Sequence, residues 1–168
     1  QQDFDNNTQT TMTNNNGGNV FDTYRWLFKS GASAPRTITG DGLQFNDFSG
    51  NDGGIYNESG ATHVFNVAIE GDGAGDPFQI HLNSTGGLTF GNTVNNQGTV
   101  IDILGTGAGA KTVTFSGIVS GTAGMFVNNA NATVLFDATN TQSGQLTINA
   151  GTVRLGSTGD TFGASTQA

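Results

Sequence analysis

The chain has 168 residues, which fits one domain with a core of its own, and it carries 27 Gly, 24 Thr and 19 Asn but no Cys. Five basic against 13 acidic residues give a net charge of −8, which argues against nucleic acid and anionic membrane surfaces, because both are bound through Lys and Arg. Zero Cys excludes disulfides, thiol catalysis and thiolate metal sites, and no apolar run approaches the roughly 20 residues of a membrane-spanning helix.

Residues 1–20 form a polar lead with almost nothing to bury. The chain opens on Gln1 with no charged-then-apolar leader, so it reads as a mature chain whose secretory signal has been removed. Residues 21–36 differ in kind: Phe21, Tyr24, Trp26 and Phe28 lie there with Arg25, Lys29 and Arg36. That concentration of rings and cations reads as a cap over one end of a core. From residue 37 a single rhythm takes over. Apolar bursts at 43–45, 64–69, 78–82, 88–90, 100–104, 113–119, 125–127, 134–136, 146–148 and 153–155 alternate with Gly, Asn and Asp. Most alternate with period two, as half-buried strands do, and their spacing indicates an all-β architecture. Thr favours strands, and Gly and Asn favour turns.

Internal similarity narrows the choice. Residues 55–66 align without gaps on 126–137, with Ala61-Thr62 meeting Ala132-Thr133. Gly87-Leu88-Thr89-Phe90 is echoed by Thr112-Val113-Thr114-Phe115, and Gln145-Leu146-Thr147-Ile148 by Thr152-Val153-Arg154-Leu155. A strand-turn unit that repeats is what a solenoid requires, because each coil buries its apolar side on the next. The expected division is a polar extension over 1–20, an aromatic and basic cap over 21–36, and a β-solenoid over 37–168.

The run from Gly144 through Asn149-Ala150-Gly151 to Gly156, with Ala132-Thr133-Val134-Leu135-Phe136 before it, resembles the autotransporter-associated β-strand repeat. Gly86-Gly87-Leu88-Thr89-Phe90 and Gly117-Ile118-Val119 resemble the coils that flank such repeats. The likeness spans about residues 37–160. It implies a right-handed parallel β-helix, secreted and without shared catalytic residues.

Few residues suggest chemistry. Glu70, Asp72 and Asp76 alternate with Gly, as in loops that wrap Ca²⁺, but the pattern occurs once and reads first as a solvated turn, with Ca²⁺ the alternative. Asp41, Asp47 and Asp52 form a looser group of the same kind. Glu70 and Asp72 share one strand face by the two-residue period, a placement from which paired carboxylates cleave polysaccharides. No lip of inserted loops accompanies them. His63 and His81 lie in alternating strands without a visible nucleophile and orienting partner. Asn6, Asn57, Asn83 and Asn131 begin Asn-x-Ser/Thr triplets, which mark candidate glycan acceptors. Asn residues on successive coils are expected to form exposed ladders.

No catalytic residue and no cofactor is expected, Ca²⁺ apart. The sequence reads as a secreted structural protein, a subunit of an extracellular or cell-surface filament whose partner is a further copy of itself. Solenoid ends expose unpaired backbone groups and so recruit other strands. Met12, Phe21, Tyr24, Arg25, Trp26, Phe28 and Lys29 are the expected interface. The alternative is an adhesin-like module that binds glycans or a cell surface through a shallow face bearing Tyr56, His63 or Phe78. A polysaccharide-active β-helix enzyme is the third reading.

Overall fold

Period-two alternation becomes short strands, and Gly and Asn become the corners between them. A computed structural model describes residues 2–4, 11–15, 17–18, 21–45, 53–73, 76–160 and 162–167. Asn6, Asp47 and Asp52 lie outside the described residues. The strands, in chain order, are β1 (Gln2–Phe4), β2 (Thr11–Asn14), β3 (Phe21–Thr23), β4 (Arg25–Phe28), β5 (Thr37–Gly40), β6 (Leu43–Phe45), β7 (Gly54–Asn57), β8 (His63–Phe65) and β9 (Ile69–Gly71). There follow β10 (Phe78–Leu82), β11 (Leu88–Phe90), β12 (Val94–Asn95), β13 (Ile101–Leu104), β14 (Lys111–Phe115), β15 (Val119–Ser120), β16 (Met125–Phe136), β17 (Gln145–Leu155) and β18 (Gly163–Gln167). No helix occurs among the described residues.

Every strand pair is parallel, and the strands stack as a β-solenoid of about five turns. The first face carries β1, β4, β7, β10, β13, the opening halves of β16 and β17, and β18. The second carries β2, β5, β8, β11, β14 and the closing halves of β16 and β17. The third is a sheet of its own, ordered β15-β12-β9-β6-β3. The first two faces are one sheet because β16 and β17 run through the corner between them.

The ladder begins earlier than the sequence suggested. β1 already pairs β4, and β2 already pairs β5, so strands of the polar lead belong to the solenoid. The stretch 21–36 contributes strands to the ladder itself. Its β3 and β4 occupy the third and first faces, with Trp26 in register with Ile55 and Phe21 with Leu43. Within Thr11–Asn14 the alternate residues Met12 and Asn14 are half-buried, and Met12 packs against the core.

The core is a set of inward rows, one residue per coil. On the first face Trp26, Ile55, Ile80, Ile103, Val127 and Ile148 stack in register. On the third face the row is Phe21, Leu43, Ile69, Val94 and Val119. On the second face it is Met12, Ile38, Phe65, Phe90, Phe115, Phe136 and Leu155. There the rings of Phe65, Phe90, Phe115 and Phe136 stack at centroid separations of 5.6, 5.1 and 5.1 Å. Phe162 meets the last ring edge-on at 5.0 Å. Such ring pairs add about 0.5–1.5 kcal/mol each beyond their buried area.

Corners let the coils approach closely. Gly105 has φ +136° at the end of β13, and a Cβ there would overlap the Leu82 carbonyl of the preceding coil. Exposed Asn149 bonds Asn128 of the preceding coil, whereas the buried Asn residues brace the corners without forming ladders. Asn57, Asn96, Asn129 and Asn140 are buried, and each bonds the backbone of an adjacent coil rather than another Asn. Asn129 Nδ2 donates to Leu104 O at 3.1 Å, Asn96 Nδ2 to Ala123 O at 2.8 Å, and Val119 N to Asn140 Oδ1 at 2.8 Å. Corner backbone groups lack strand partners, and burying them unpaired is costly; the Asn amides supply the missing partners. Lys111 is also buried, its Nζ donating to the carbonyls of Gly107, Ala108 and Gly109 in the turn before β14.

A change in the phenyl row should cost far more than one beside it. Phe90→Ala is expected to lower the unfolding free energy by about 3–5 kcal/mol. The outward neighbour variant Thr89→Ala should lower it by less than about 1 kcal/mol. Urea denaturation of the two variants beside wild type measures both.

Candidate assembly ends and the outward face

The two ends of the solenoid differ. At the N-terminal end β1, β2 and β3 are the outermost strands of their faces. At the other end β18 pairs only with residues 145–148 of β17. Residues 152–155 pair with β16 on one side and with no strand on the other among the described residues. Leu155, in register with Phe136, is consequently 55% exposed, and Arg154 is exposed beside it.

Most of the aromatic residues expected at an interface serve the core of their own chain. Trp26 and Phe28 are buried, Trp26 against Phe65 at 5.7 Å and Phe28 against the His63 ring at 3.8 Å. Met12 and Phe21 are half-buried against the same core, and Tyr24 and Lys29 are half-buried. Arg25 is half-buried on the outward first face, its guanidinium 4.0 Å above the centre of the Tyr56 ring.

The acidic candidates are tied to the following coil. Glu70 Oε2 accepts from Gln97 Nε2 at 2.8 Å, and Asp72 Oδ1 accepts from Thr99 Oγ1 at 3.2 Å. Asp76 is half-buried. No cluster of three His, Asp or Glu with metal-ligand placement occurs among the described residues. Asp41 accepts the Gly18 amide at 3.1 Å. Of the sequon asparagines, Asn57 is fully buried, with its Nδ2 donating to Ala61 O and Gly87 O at 3.0 Å each. A glycan on Asn57 is incompatible with this fold. Asn83 is half-buried, and Asn131 is exposed with its Nδ2 3.3 Å from Gly107 O.

His63 corrects the expectation of a surface histidine: it is fully buried, as is Phe78 nearly so. Sequence reasoning also missed its partner. Ser59 Oγ lies 2.8 Å from His63 Nε2 and donates to Asn57 Oδ1 at 2.7 Å. The Arg36 amide donates to His63 Nδ1 at 3.2 Å. Nδ1 is therefore the acceptor, so the neutral ring carries its proton on Nε2 and donates to Ser59. A histidine in that tautomer cannot take the serine proton, and no solvent reaches the pair. The trio satisfies a buried corner; it does not build a nucleophile. His63 fills the inward row position taken by Leu88 and Val113 in later coils, which no sequence periodicity signals.

The outward side of the first face carries the other constellation. Tyr56 and His81 stack at 4.3 Å with rings 9° from parallel, beneath Arg25. Gln79 Oε1 accepts from Tyr56 Oη at 3.1 Å and lies 2.6 Å from His81 Nε2. Further along, Phe126 stands outward between Asp102 and Thr147 in register. Asn128 Nδ2 donates to Asp102 Oδ1 at 2.6 Å, and Asn149 Nδ2 to Asn128 Oδ1 at 2.7 Å. Of these, the sequence singled out only Arg25, Tyr56 and His81, because a planar polar ladder shows only once the register is fixed.

No family model, no curated protein and no solved structure matches this chain.

Burial, then the charge of Arg36, hold the His63 pKa down from 6.5 to about 4. The folded state therefore keeps His63 neutral where the unfolded chain would protonate it. Stability is full above about pH 6.5 and falls as pH drops towards 4, by roughly 2–3 kcal/mol. Urea denaturation at pH 7 and pH 4.5 should show the loss, and His63→Leu should flatten that part of the profile.

Proposed function

We propose that this protein is a structural subunit that joins end to end into a filament at the cell surface or outside the cell. The observation that carries the reading is the open edge of residues 152–155, with Leu155 exposed at the end of the row that runs through Phe136. At the opposite end β2 presents Met12 in that same row. A second copy placed there continues the parallel sheet, with Met12 of one copy over Leu155 of the other. Strand addition of this kind draws affinity from main-chain hydrogen bonds and specificity from alternate side chains. Contact between two unlike ends does not close on itself, so it propagates as a fibre. The likeness of residues 144–156 to the autotransporter-associated repeat supports secretion. The polar, cysteine-free composition agrees with it.

Covering a Leu side chain contributes about 1.5–3 kcal/mol, so Leu155→Asp should weaken end-to-end association by roughly tenfold or more. Electron microscopy of the wild-type chain should show uniform fibres, and the variant, with unchanged circular dichroism, should give dispersed particles. Wild-type protein that stays monomeric at high concentration refutes the reading.

A further inference from the structure

We propose that the outward first face binds a neutral, extended β-linked polysaccharide, laid along the solenoid axis over Phe126 and the Asp102–Asn128–Asn149 ladder. The inference stands independently of end-to-end assembly.

Phe126 is the anchor. It points out of the sheet, is half-buried, and its ring stacks on no other ring among the described residues. Tyr56 and His81, by contrast, have ring faces covered by each other and by Arg25. An aromatic face with no ring upon it suits the C–H face of a pyranose, because the electron-rich ring face attracts polarised C–H groups. Beside it run groups that recognise hydroxyls. Asp102, Asn128 and Asn149 sit on three successive coils and are held in one line by hydrogen bonds of 2.6 and 2.7 Å. Each Asn amide has a second N–H beyond the one used in the ladder, and Asn149 is exposed. The side chains are therefore already ordered, and ligand binding need not freeze them.

Spacing and charge select the ligand. Coils recur about every 4.8 Å along the axis, close to the advance per sugar in an extended β-linked chain. A polymer running along the axis therefore advances about one coil per sugar, meeting Asp102, Asn128 and Asn149 in turn. Arg25 and Asp102 offset one another along the stripe, whereas the whole chain carries −8. A neutral polymer suffers no repulsion there, and an acidic one does. Phe126 is flanked in its row by Asp102 and Thr147, so polar groups border the ring on both neighbouring coils.

Affinity electrophoresis tests this in the Leu155→Asp background, so that fibre formation does not alter mobility. Native gels would contain hydroxyethylcellulose, xylan or glucomannan, with polygalacturonate as the acidic control. The expected result is retardation in at least one neutral gel and none in polygalacturonate. Phe126→Ala should weaken it roughly tenfold or more, and Asn149→Ala, at an exposed position, should weaken it without altering the circular dichroism. Migration unchanged in all three neutral gels overturns the proposal, as does retardation equal in the Phe126→Ala variant. A doubled mass by light scattering that Phe126→Ala abolishes also overturns it, assigning the face to a second copy. None of these failures touches the fibre reading, which electron microscopy of the Leu155 pair decides separately.

Discussion

Everything in this molecule depends on one requirement: each coil can bury its inward side chains only on the coils above and below it. A single coil of this chain has no core. Parallel register supplies one by placing like on like, so that Ile55 meets Ile80 and Phe90 meets Phe115. The ring stack from Phe65 to Phe136 is the clearest product of that rule. Each pair of rings is nearly parallel because each backbone repeats the one before it.

The same requirement governs the polar groups. Strands find hydrogen-bond partners in the next coil automatically, whereas corners do not. Asn57, Asn96, Asn129 and Asn140 repair the corners from inside. Glu70 and Asp72, which as isolated residues suggest a cation loop, are held by Gln97 and Thr99 one coil on. The abundance of Asn and Thr is thus partly a structural demand. Lys111 follows the rule by another route, since its buried ammonium takes three carbonyls from its own turn.

Much of the architecture was legible in the sequence, and the misses have physical causes. The echo of residues 87–90 in 112–115 matches the observed register residue for residue. The gapless match of 55–66 with 126–137 holds for Phe65 and Phe136 but slips by one at Ile55, which shares its row with Val127. The corner between those strands differs in length, and sequence similarity does not see it. The phrases at 145–148 and 152–155 lie on two sides of one coil, both within β17, rather than on successive coils. The lead segment showed almost nothing to bury because its strands are held mainly by pairing with the coil that follows. His63 looked external because alternation alone does not say which parity faces inward when a polar residue replaces an apolar one. The outward ladder at Phe126 was illegible for a simpler reason: Asp102, Asn128 and Asn149 become neighbours only across coils.

The place of His63 in an otherwise apolar row has a consequence for how this protein can change length. Phe65, Phe90 and Phe115 are 25 residues apart in numbering and share one register. A segment of that size inserted or excised between Phe90 and Phe115 presents the same apolar rows at both joins, so whole coils there are exchangeable modules. The coil containing His63 is not. Its ring is held by the Arg36 amide, by Ser59 and by the Phe28 face, and no later coil carries those partners. Copied elsewhere, that coil would keep its own Ser59 but lose the Phe28 ring face, because Asn57 and Leu82 occupy that register in the coils that follow. Whole-coil insertion or excision is therefore better tolerated between Phe90 and Phe115 than at the coil that holds His63.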